Sequence, residues 1–316
     1  MHAQPFPVDP AIPARLAALT PLQAQIRADA LAPIADPAHL RAHGRRISAD
    51  HAAKVVARHG LSGVEELMLL LLPDAAMVAR PPISGFTVGT VGREAVSGAI
   101  TLGGNIEFPT AHFGHAIHGE GFVTTRAFLR GEALSHIALT AAMPCGHCRQ
   151  FLSEFMAAPN LRLIDPAGHR MSLNDVLPGA FTPADLGTPG ANPAAQLQSV
   201  ALADPSQAPA PVAELLITAA NRGHVPYSNC PASLVLEMAD GGLVWGTGIE
   251  SCAYNPTITP AQAAVVMLLD HGMAYGDIRR GWFARRAGAA VDLSLATQEL
   301  LGRLAPNAPL TMMDLN

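Results

Sequence analysis

The 316-residue sequence has little charge, few aromatic residues and a single lysine. Charged residues make up 14% and aromatic residues 5% of the chain, whereas 49% is hydrophobic. This composition excludes an intrinsically disordered protein. The 20 basic and 25 acidic residues give a net charge of −5, which argues against a general binder of nucleic acid or anionic membranes. The length fits two domains of ordinary size or one large domain.

Long apolar runs and a secretory signal are also missing. The longest strongly apolar run covers residues 67–72, whereas a membrane span needs about 20 residues. The N-terminus has neither a basic stretch nor a continuous apolar stretch, so no secretory signal is evident. Four cysteines are too few for a disulfide framework. We therefore expect a soluble protein of the cytoplasm that does not bind membranes.

Helical and strand patterns alternate along the chain, which favours a sandwich of α and β layers. Residues 1 to about 80 have the apolar spacing of helices. The patterns that follow predict a hairpin (83–108), a helix (118–129), a strand (136–142), a helix opened by Pro144 and a strand (161–164).

A proline-rich segment divides the chain, since seven prolines lie between residues 178 and 211. Beyond it the order of elements repeats: GGNIE (103–107) resembles GTGIE (246–250), and a second predicted helix opens at Pro260 as the first opens at His118. The offsets of 143 and 142 residues predict a duplicated domain. The predicted organisation is a helical segment (1–63), a first domain (64–177), a linker (178–211) and a second domain (212–316).

The strongest motif in the sequence is His118-Gly119-Glu120 followed by Pro144-Cys145-Gly146-His147-Cys148. This H-x-E…P-C-x-x-C pattern is the signature of zinc nucleobase deaminases. The two cysteines lie one helical turn apart behind a proline suited to the first position of a helix, where free N–H groups favour thiolate. Two thiolates and one imidazole make three zinc ligands and leave a fourth position for water, as in catalytic sites.

Glu120 lies two residues from His118 and is therefore placed to carry a proton rather than to bind metal. Bound zinc lowers the pKa of water from 15.7 towards ~7. Hydrolytic deamination then needs two proton transfers, one to a ring nitrogen and one to the leaving ammonia.

Two other interpretations of the cysteine motif are open. With His147 as a fourth ligand the site would be closed and structural. A C-x-x-C pair is also found in structural half-sites and by chance. Cys230 and Cys252 have no companion ligands at metal spacing, and we expect buried thiols there. In the repeat, Pro260-Ala261-Gln262 replaces His118-Gly119-Glu120 and no C-x-x-C follows, so we expect one zinc per chain.

These motifs, together with others in both halves, resemble cytidine deaminase of the two-domain, homodimeric bacterial type. The resemblance covers roughly residues 65–290. The segments that carry it are GFTVG (85–89), GNIEF (104–108), HGE (118–120), PCGHCRQF (144–151), LPGAF (177–181), ANRGHVPYS (220–228) and YNPT (254–257).

The resemblance implies a three-layer α-β-α deaminase sandwich, duplicated as a catalytic and a degenerate domain. It implies an enzyme of pyrimidine salvage that hydrolyses cytidine and deoxycytidine to uridine and deoxyuridine. His118, Cys145 and Cys148 would bind the zinc and Glu120 would be the proton shuttle. The implied substrate contacts are Asn105 and Glu107 to the ribose hydroxyls, Phe86 to the pyrimidine, Ile106, Gly119 through its main chain, and Phe181 lent by the partner chain of a homodimer.

The sequence departs from the family pattern, which usually reads His-Ala-Glu-Gln and has Thr before the Pro-Cys motif. Here Gly119 and Gly121 flank Glu120, and Met143 precedes Pro144. A deaminase acting on tRNA or single-stranded DNA is an alternative, but the segment 86–120 holds one arginine against three glutamates. A zinc-stabilised protein without catalysis is another, and it would have no need of Glu120.

Overall fold

The computed structural model describes residues 6–140, 143–195 and 198–316. Helices occupy most of residues 11–76, which confirms the predicted helical character. Two of these helices begin at side-chain caps, because Asp36 accepts a hydrogen bond from the Ala38 N–H and Ser48 accepts one from the His51 N–H. The helices are α1 (Ala11–Ala18), α2 (Gln23–Ala35), α3 (Pro37–His43), α4 (Ala49–Arg58), α5 (Val64–Leu70) and α6 (Leu72–Ala76).

A six-stranded sheet forms the centre of the first unit, with the strand order β1-β3-β2-β4-β5-β6. Only β4 and β5 pair in parallel, and α8 lies between them in the chain. The strands are β1 (Arg46–Ile47), β2 (Gly89–Glu94), β3 (Ile100–Gly104), β4 (Leu134–Leu139), β5 (Arg162–Ile164) and β6 (Arg170–Ser172). The helices are α7 (Gly119–Leu129), α8 (Gly146–Leu152) and α9 (Leu173–Val176). The last two residues of the predicted strand 136–142 lie outside the described residues.

Alternating side chains place helices on both faces of this sheet. On β4, Ile137 and Leu139 pack into the core that contains α7, while Ala138 packs into the core that contains α5 and α6. Strand β1, which the sequence did not predict, pairs with β3 and ties the N-terminal helices to the sheet. The layers confirm the predicted α-β-α sandwich.

The second unit repeats this architecture around a four-stranded sheet of order β10-β9-β7-β8. Its strand order and directions match those of β5-β4-β2-β3, because β7 pairs antiparallel with β8 and β9, whereas β9 and β10 are parallel. Helices α10 and α11 cover opposite faces. The elements are α10 (Ala210–Arg222), β7 (Ala232–Met238), β8 (Leu243–Thr247), α11 (Pro260–Asp270), β9 (Ile278–Arg286), α12 (Ser294–Leu304) and β10 (Leu310–Leu315). The match confirms the duplication, although the sequence did not predict β9, α12 or β10.

The structure corrects the register of the repeat by one residue at the helix. Ile106 bridges Ile117 in the first unit, and Ile249 bridges Ile258 in the second. His118 is the N-cap of α7 and Thr259 is the N-cap of α11, so Thr259, rather than Pro260, is the counterpart of His118. The offset of 142 residues gave the wrong counterpart because the loop before α11 is two residues shorter than the loop before α7. The bridged isoleucines are 11 residues apart in the first unit and nine apart in the second.

Helix α7 lies between the first sheet and α11, and all of its residues are buried. Gly103 on β3 allows this close packing, because a Cβ at that position would overlap the Phe122 ring. Gly246 has the same role beneath α11, where a Cβ would overlap the Pro260 carbonyl oxygen. The shared glycine of GGNIE and GTGIE therefore marks the point where each helix crosses its sheet.

A buried cluster of charges joins the two units and the N-terminal segment. Asp270 is fully buried and accepts hydrogen bonds from Arg126 Nε at 2.7 Å, Arg130 Nη2 at 2.9 Å and the Arg45 N–H at 3.0 Å. Arg130 also bonds the buried Glu94 at 3.2 Å. Burial alone would raise the pKa of Asp270, but Arg126 and Arg130 outweigh it and hold the pKa below its usual value.

The proline-rich linker packs against both units. It forms two short 3-10 turns, Pro183–Leu186 and Pro205–Gln207, and residue bridges connect Ala191 to Phe155 and Leu202 to Leu315. The predicted domain boundaries (1–63, 64–177, 178–211 and 212–316) stay a prediction; residues 1–5, 141–142 and 196–197 lie outside the described residues. None of the described helices combines the length and apolar character needed to span a bilayer.

Replacing Asp270 by Asn should lower the free energy of unfolding by about 3–5 kcal/mol, because it leaves two arginines at the unit boundary without their buried anion. Urea unfolding followed by circular dichroism measures the change. Asp50→Asn is the matched control, since Asp50 pairs with Lys54 on the surface and such pairs contribute about 0.3–0.5 kcal/mol. Equal stability of Asp270→Asn and wild type would contradict the role of this cluster.

Candidate metal centre

Two helix N-termini bring the predicted metal ligands together. His118 is the N-cap of α7, Cys145 is the N-cap of α8, and Cys148 is the third residue of α8. His118 Nδ1 lies 3.4 Å from Cys145 Sγ and 3.3 Å from Cys148 Sγ. The sequence pattern predicted Pro144 at the first position of the helix. In the structure Pro144 instead lies one residue before the N-cap. The thiols nevertheless lie at a helix N-terminus, where the helix dipole favours thiolate.

The spacing of these three side chains fits zinc. Zinc–sulfur bonds of about 2.3 Å and zinc–nitrogen bonds of about 2.0 Å at tetrahedral angles separate sulfur and nitrogen by about 3.5 Å. The two observed separations of 3.3 and 3.4 Å are close to that value. All three ligand atoms lie within 4.8 Å of one another, and no other such group of three occurs in the described part of the chain. His118, Cys145 and Cys148 are therefore a group that could hold a metal ion.

His147 does not complete this group as a fourth ligand. Its Nε2 lies 3.2 Å from the Asn255 carbonyl oxygen in the second unit, and its ring centroid is 6.4 Å from that of His118. Three protein ligands leave one tetrahedral position free for water or substrate, as in catalytic zinc sites. This geometry favours the catalytic interpretation over the closed structural site.

The side chains of His118, Cys145 and Cys148 interact strongly with one another. Hydrogen bonds from Cys148 and His118 lower the pKa of Cys145 to about 3. The hydrogen bond with Cys145 raises the pKa of His118, and Cys145 raises the pKa of Cys148. The site thus stabilises a thiolate at Cys145, which is the form that binds zinc.

Glu120 is the second residue of α7 and lies beside the ligands. Its side chain is buried, with 5% of its surface exposed, and it is within hydrogen-bonding reach of the Cys148 thiol. Burial raises the pKa of this carboxyl group. A buried carboxyl group next to an open metal position is suited to proton transfer.

The two glycines that flank Glu120 differ in what they permit. A Cβ at Gly119 would overlap the Thr90 hydroxyl oxygen, so this position accepts only glycine unless Thr90 moves. A Cβ at Gly121 would meet Ile117 at 3.4 Å and Ile258 at 3.9 Å, which are ordinary contacts. Packing therefore accounts for Gly119, and nothing in the structure explains Gly121.

Asn105 and Glu107 both hold the loop that carries Phe86. Asn105 Oδ1 accepts a hydrogen bond from the Val88 N–H, and Asn105 Nδ2 donates one to the Phe86 carbonyl oxygen. The Glu107 carboxylate accepts hydrogen bonds from the N–H groups of Ile83 and Ser84 at 2.9 Å and from the Ser84 hydroxyl at 2.5 Å. Phe86 itself is 61% exposed. The substrate roles of these residues stay predictions.

The other two predicted substrate contacts, Ile106 and Phe181, lie in the core and on the linker. Ile106 is fully buried in the core, and its backbone N–H and carbonyl groups pair with Ile117. Phe181 is 47% exposed on the linker, and its carbonyl oxygen accepts a hydrogen bond from Gln150 Nε2. Their substrate roles stay predictions. Cys230 and Cys252 are each 2% exposed, which confirms the expected buried thiols.

Sequence reasoning missed Ser84 and Thr90, which shape this site from the loop and the sheet. Ser84 bonds Glu107, and Thr90 packs against Gly119. The sequence signal for Ser84 was a serine in each half that precedes the glutamate of the Ile-Glu pair, by 23 residues for Ser84 and by 22 for Ser228. No local sequence pattern distinguishes Thr90.

An α-β-α sandwich with a His-Cys-Cys group at two helix N-termini, a buried glutamate beside it and one open position defines a zinc-dependent deaminase. Comparison with known proteins agrees with this class. The family model described as "Cytidine and deoxycytidylate deaminase zinc-binding region" matches residues 173–298, which include the linker and most of the second unit.

Two curated relatives extend the similarity to most of the chain. A protein named cytidine deaminase from Klebsiella pneumoniae subsp. pneumoniae is 38% identical over 90% of this chain and 95% of its own length. One from Cronobacter sakazakii is 37% identical over 81% of this chain and 86% of its own length. The chain belongs to the cytidine deaminase family.

Solved structures of smaller cytidine deaminases match part of the chain. The Mycobacterium tuberculosis protein is 28% identical, with 37% of this chain and 96% of that chain covered and a TM-score of 0.34. The Burkholderia pseudomallei protein is 26% identical, with 36% and 96% covered and a TM-score of 0.32.

The purified protein should contain one zinc per chain, because the second unit has Thr259 where the first has His118 and has no cysteine after Cys252. Cys145→Ala should lose most of the metal, since a thiolate ligand is removed. Cys252→Ala is the matched control and should keep it. Two zincs per chain, or full zinc in Cys145→Ala, would overturn the assignment.

Proposed function

We propose that the chain catalyses the hydrolytic deamination of cytidine and deoxycytidine to uridine and deoxyuridine, a reaction of pyrimidine salvage. The observation that carries the proposal is the three-ligand metal site with an open position next to the buried Glu120. Overall, a C–O bond forms at C4 of the cytosine ring, the bond from C4 to the exocyclic nitrogen breaks, and ammonia leaves.

His118, Cys145 and Cys148 would hold the zinc, which when bound supplies a Lewis acid that lowers the pKa of water. Glu120 takes the proton of the attacking water and delivers it to ring nitrogen N3. The same carboxyl group then takes the proton of the new C4 hydroxyl and delivers it to the leaving amine, so that ammonia departs and the C4 carbonyl forms. Its burial keeps bulk water away from both transfers.

Phe86, Asn105 and Glu107 are proposed to bind the nucleoside. Asn105 keeps one N–H and one lone pair beyond the bonds it makes to the Phe86 loop, and Glu107 keeps an acceptor site on Oε1. These groups are available to ribose hydroxyls. The exposed Phe86 ring offers an apolar face to a pyrimidine, and Gly119, the first residue of α7, is proposed to contact the nucleoside through its main chain.

The two alternatives are less well supported. A nucleic-acid deaminase needs cationic groups for phosphates, whereas Arg93 is the one basic residue among residues 86–120 apart from histidines. Arg93 lies on β2, paired with β3 and β4, and its side-chain Nε is buried. A purely structural zinc site does not explain an open fourth position with a buried glutamate beside it.

We further propose that the chain works as a homodimer in which the partner covers the metal site. Cys145 and His118 are exposed, and Phe86 and Phe181 present large apolar surfaces to solvent. Covering a site excludes bulk water and so strengthens the electrostatic interactions inside it. Phe181 is the residue we expect a partner to lend. Sedimentation equilibrium at assay concentrations tests the dimer, and the mass of a single 32.9 kDa chain would contradict it.

Glu120→Gln should keep zinc and fold but lose turnover by 10²–10⁴-fold or more, because general acid–base groups typically contribute that much and this group acts twice. Ammonia release from cytidine, with zinc content measured in parallel, tests this. Glu214→Gln on the exposed surface of α10 is the matched control. Wild-type turnover in Glu120→Gln would remove this residue from the mechanism.

Free cytosine should be a much poorer substrate than cytidine, since Asn105 and Glu107 would then lack partners at a cost of about 1–3 kcal/mol for each group. Specificity constants for cytidine, deoxycytidine, 1-methylcytosine and cytosine test this. The methylated base separates the ribose hydroxyls from substitution at N1. Equal constants for cytidine and 1-methylcytosine would refute the ribose contacts.

A further inference from the structure

The second unit repeats the hydrogen bonds that surround the proposed nucleoside site. The Glu250 carboxylate accepts hydrogen bonds from the Tyr227 N–H at 2.9 Å, the Ser228 N–H at 3.2 Å and the Ser228 hydroxyl. Glu107 makes the same three bonds to Ser84 and the residue before it. The loop conformation around the proposed ribose contact is therefore preserved in the copy.

The topology also identifies the counterparts of the metal ligands. Helices α8 and α12 each join the two parallel strands of their sheet. Cys145 and Leu293 are the N-caps of these helices, and Cys148 and Ala296 are their third residues. The counterpart of His118, as shown above, is Thr259.

These counterparts line one cavity of about 460 Å³, which we call the second pocket. The volume lies in the range of small-molecule sites. Its lining includes Ser228, Gly248, Glu250, Thr259, Leu293 and Ala296. The space that corresponds to the catalytic site is thus open in the second unit.

The substitutions between the copies replace the metal ligands and the proton shuttle, and most of them introduce smaller side chains. Cys230 takes the place of Phe86, because its N–H bonds Ser228 as the Phe86 N–H bonds Ser84. Gly248 replaces Asn105, and Ala261 replaces Glu120. The second pocket therefore has neither the three metal ligands nor a proton shuttle.

The acidic lining of the second pocket favours an uncharged ligand over a phosphorylated one. Glu250 and Glu299 contribute carboxylates, and none of the described lining residues is Lys or Arg. Glu299 accepts hydrogen bonds from the His112 N–H at 2.9 Å and from His115 Nε2 at 3.1 Å, which closes the wall between the units. Carboxylates accept hydrogen bonds from hydroxyl groups and repel phosphates.

An aromatic ring lies at the edge of the second pocket. Tyr254 lines it, is 66% exposed, and has a φ of 61°, which is uncommon for a residue with a side chain. Such strain is found at ligand-binding positions. The ring offers a face for a flat base, in a unit where Cys230 stands at the position of Phe86.

We propose that the second pocket binds an uncharged nucleoside without converting it. The ligand class rests on the proposed role of Glu107 at the ribose, which Glu250 repeats. Each chain then has two nucleoside sites, of which only the first carries out chemistry.

Equilibrium dialysis of the zinc-loaded full-length protein against radiolabelled uridine tests this inference. Wild type should bind two uridines per chain. Ala296→Trp places an indole in the second pocket and should bind one, with kcat for cytidine within about twofold of wild type. Ala296→Leu is the smaller variant to use if the tryptophan variant does not fold, and it should weaken the second binding event.

One uridine per chain or fewer in wild type would overturn the inference. Two uridines per chain that persist in both Ala296 variants would also overturn it, because the second ligand would then lie elsewhere. The proposed function is tested separately by the ammonia assay: if it fails, the wild-type protein releases no ammonia from cytidine, whatever the number of uridines bound.

Discussion

The position of helix α7 is the constraint on which the rest of the site depends. The helix has to pack on the first sheet and on α11 at once. It can do so because Gly103 of β3 carries no Cβ to overlap the Phe122 ring of α7, and Gly119 of α7 carries none to overlap Thr90 of β2. Its first turn then sets Glu120 beside the ligands, and its last turn sets Arg126 against Asp270 of the second unit. The metal site and the boundary between the units are therefore two ends of the same buried helix.

Duplication explains why half of this chain resembles a catalytic unit yet has none of its ligands. Both units share strand order, a glycine under the central helix, an Ile-Ile bridge and a carboxylate that holds a serine loop. They differ at a few helix N-terminal positions, where His118 and Cys148 have Thr259 and Ala296 as counterparts. The scaffold needs its backbone contacts in both copies, whereas the chemistry depends on side chains that one copy can lose.

Much of the fold and the metal site could be predicted from the sequence because their signals are local. The H-x-E, C-x-x-C and Ile-Glu motifs each span only a few residues, and the hairpin before α7 is one continuous segment of the sequence. The strand β9 was missed because its IRRGWFARR sequence has arginines at both ends, and its parallel partner β10 follows only after a helix. The contact between Arg126 and Asp270 joins residues 144 positions apart, so no local sequence pattern predicts it.

The central claim is that three side chains of the first unit hold one zinc and leave its fourth position open. X-ray absorption at the zinc edge of the purified protein tests it most directly, because the spectrum counts sulfur and imidazole ligands. The account predicts two sulfurs at about 2.3 Å, one imidazole nitrogen at about 2.0 Å and one non-protein oxygen, with no change in His147→Gln. Two imidazoles, one of them lost in His147→Gln, would contradict it.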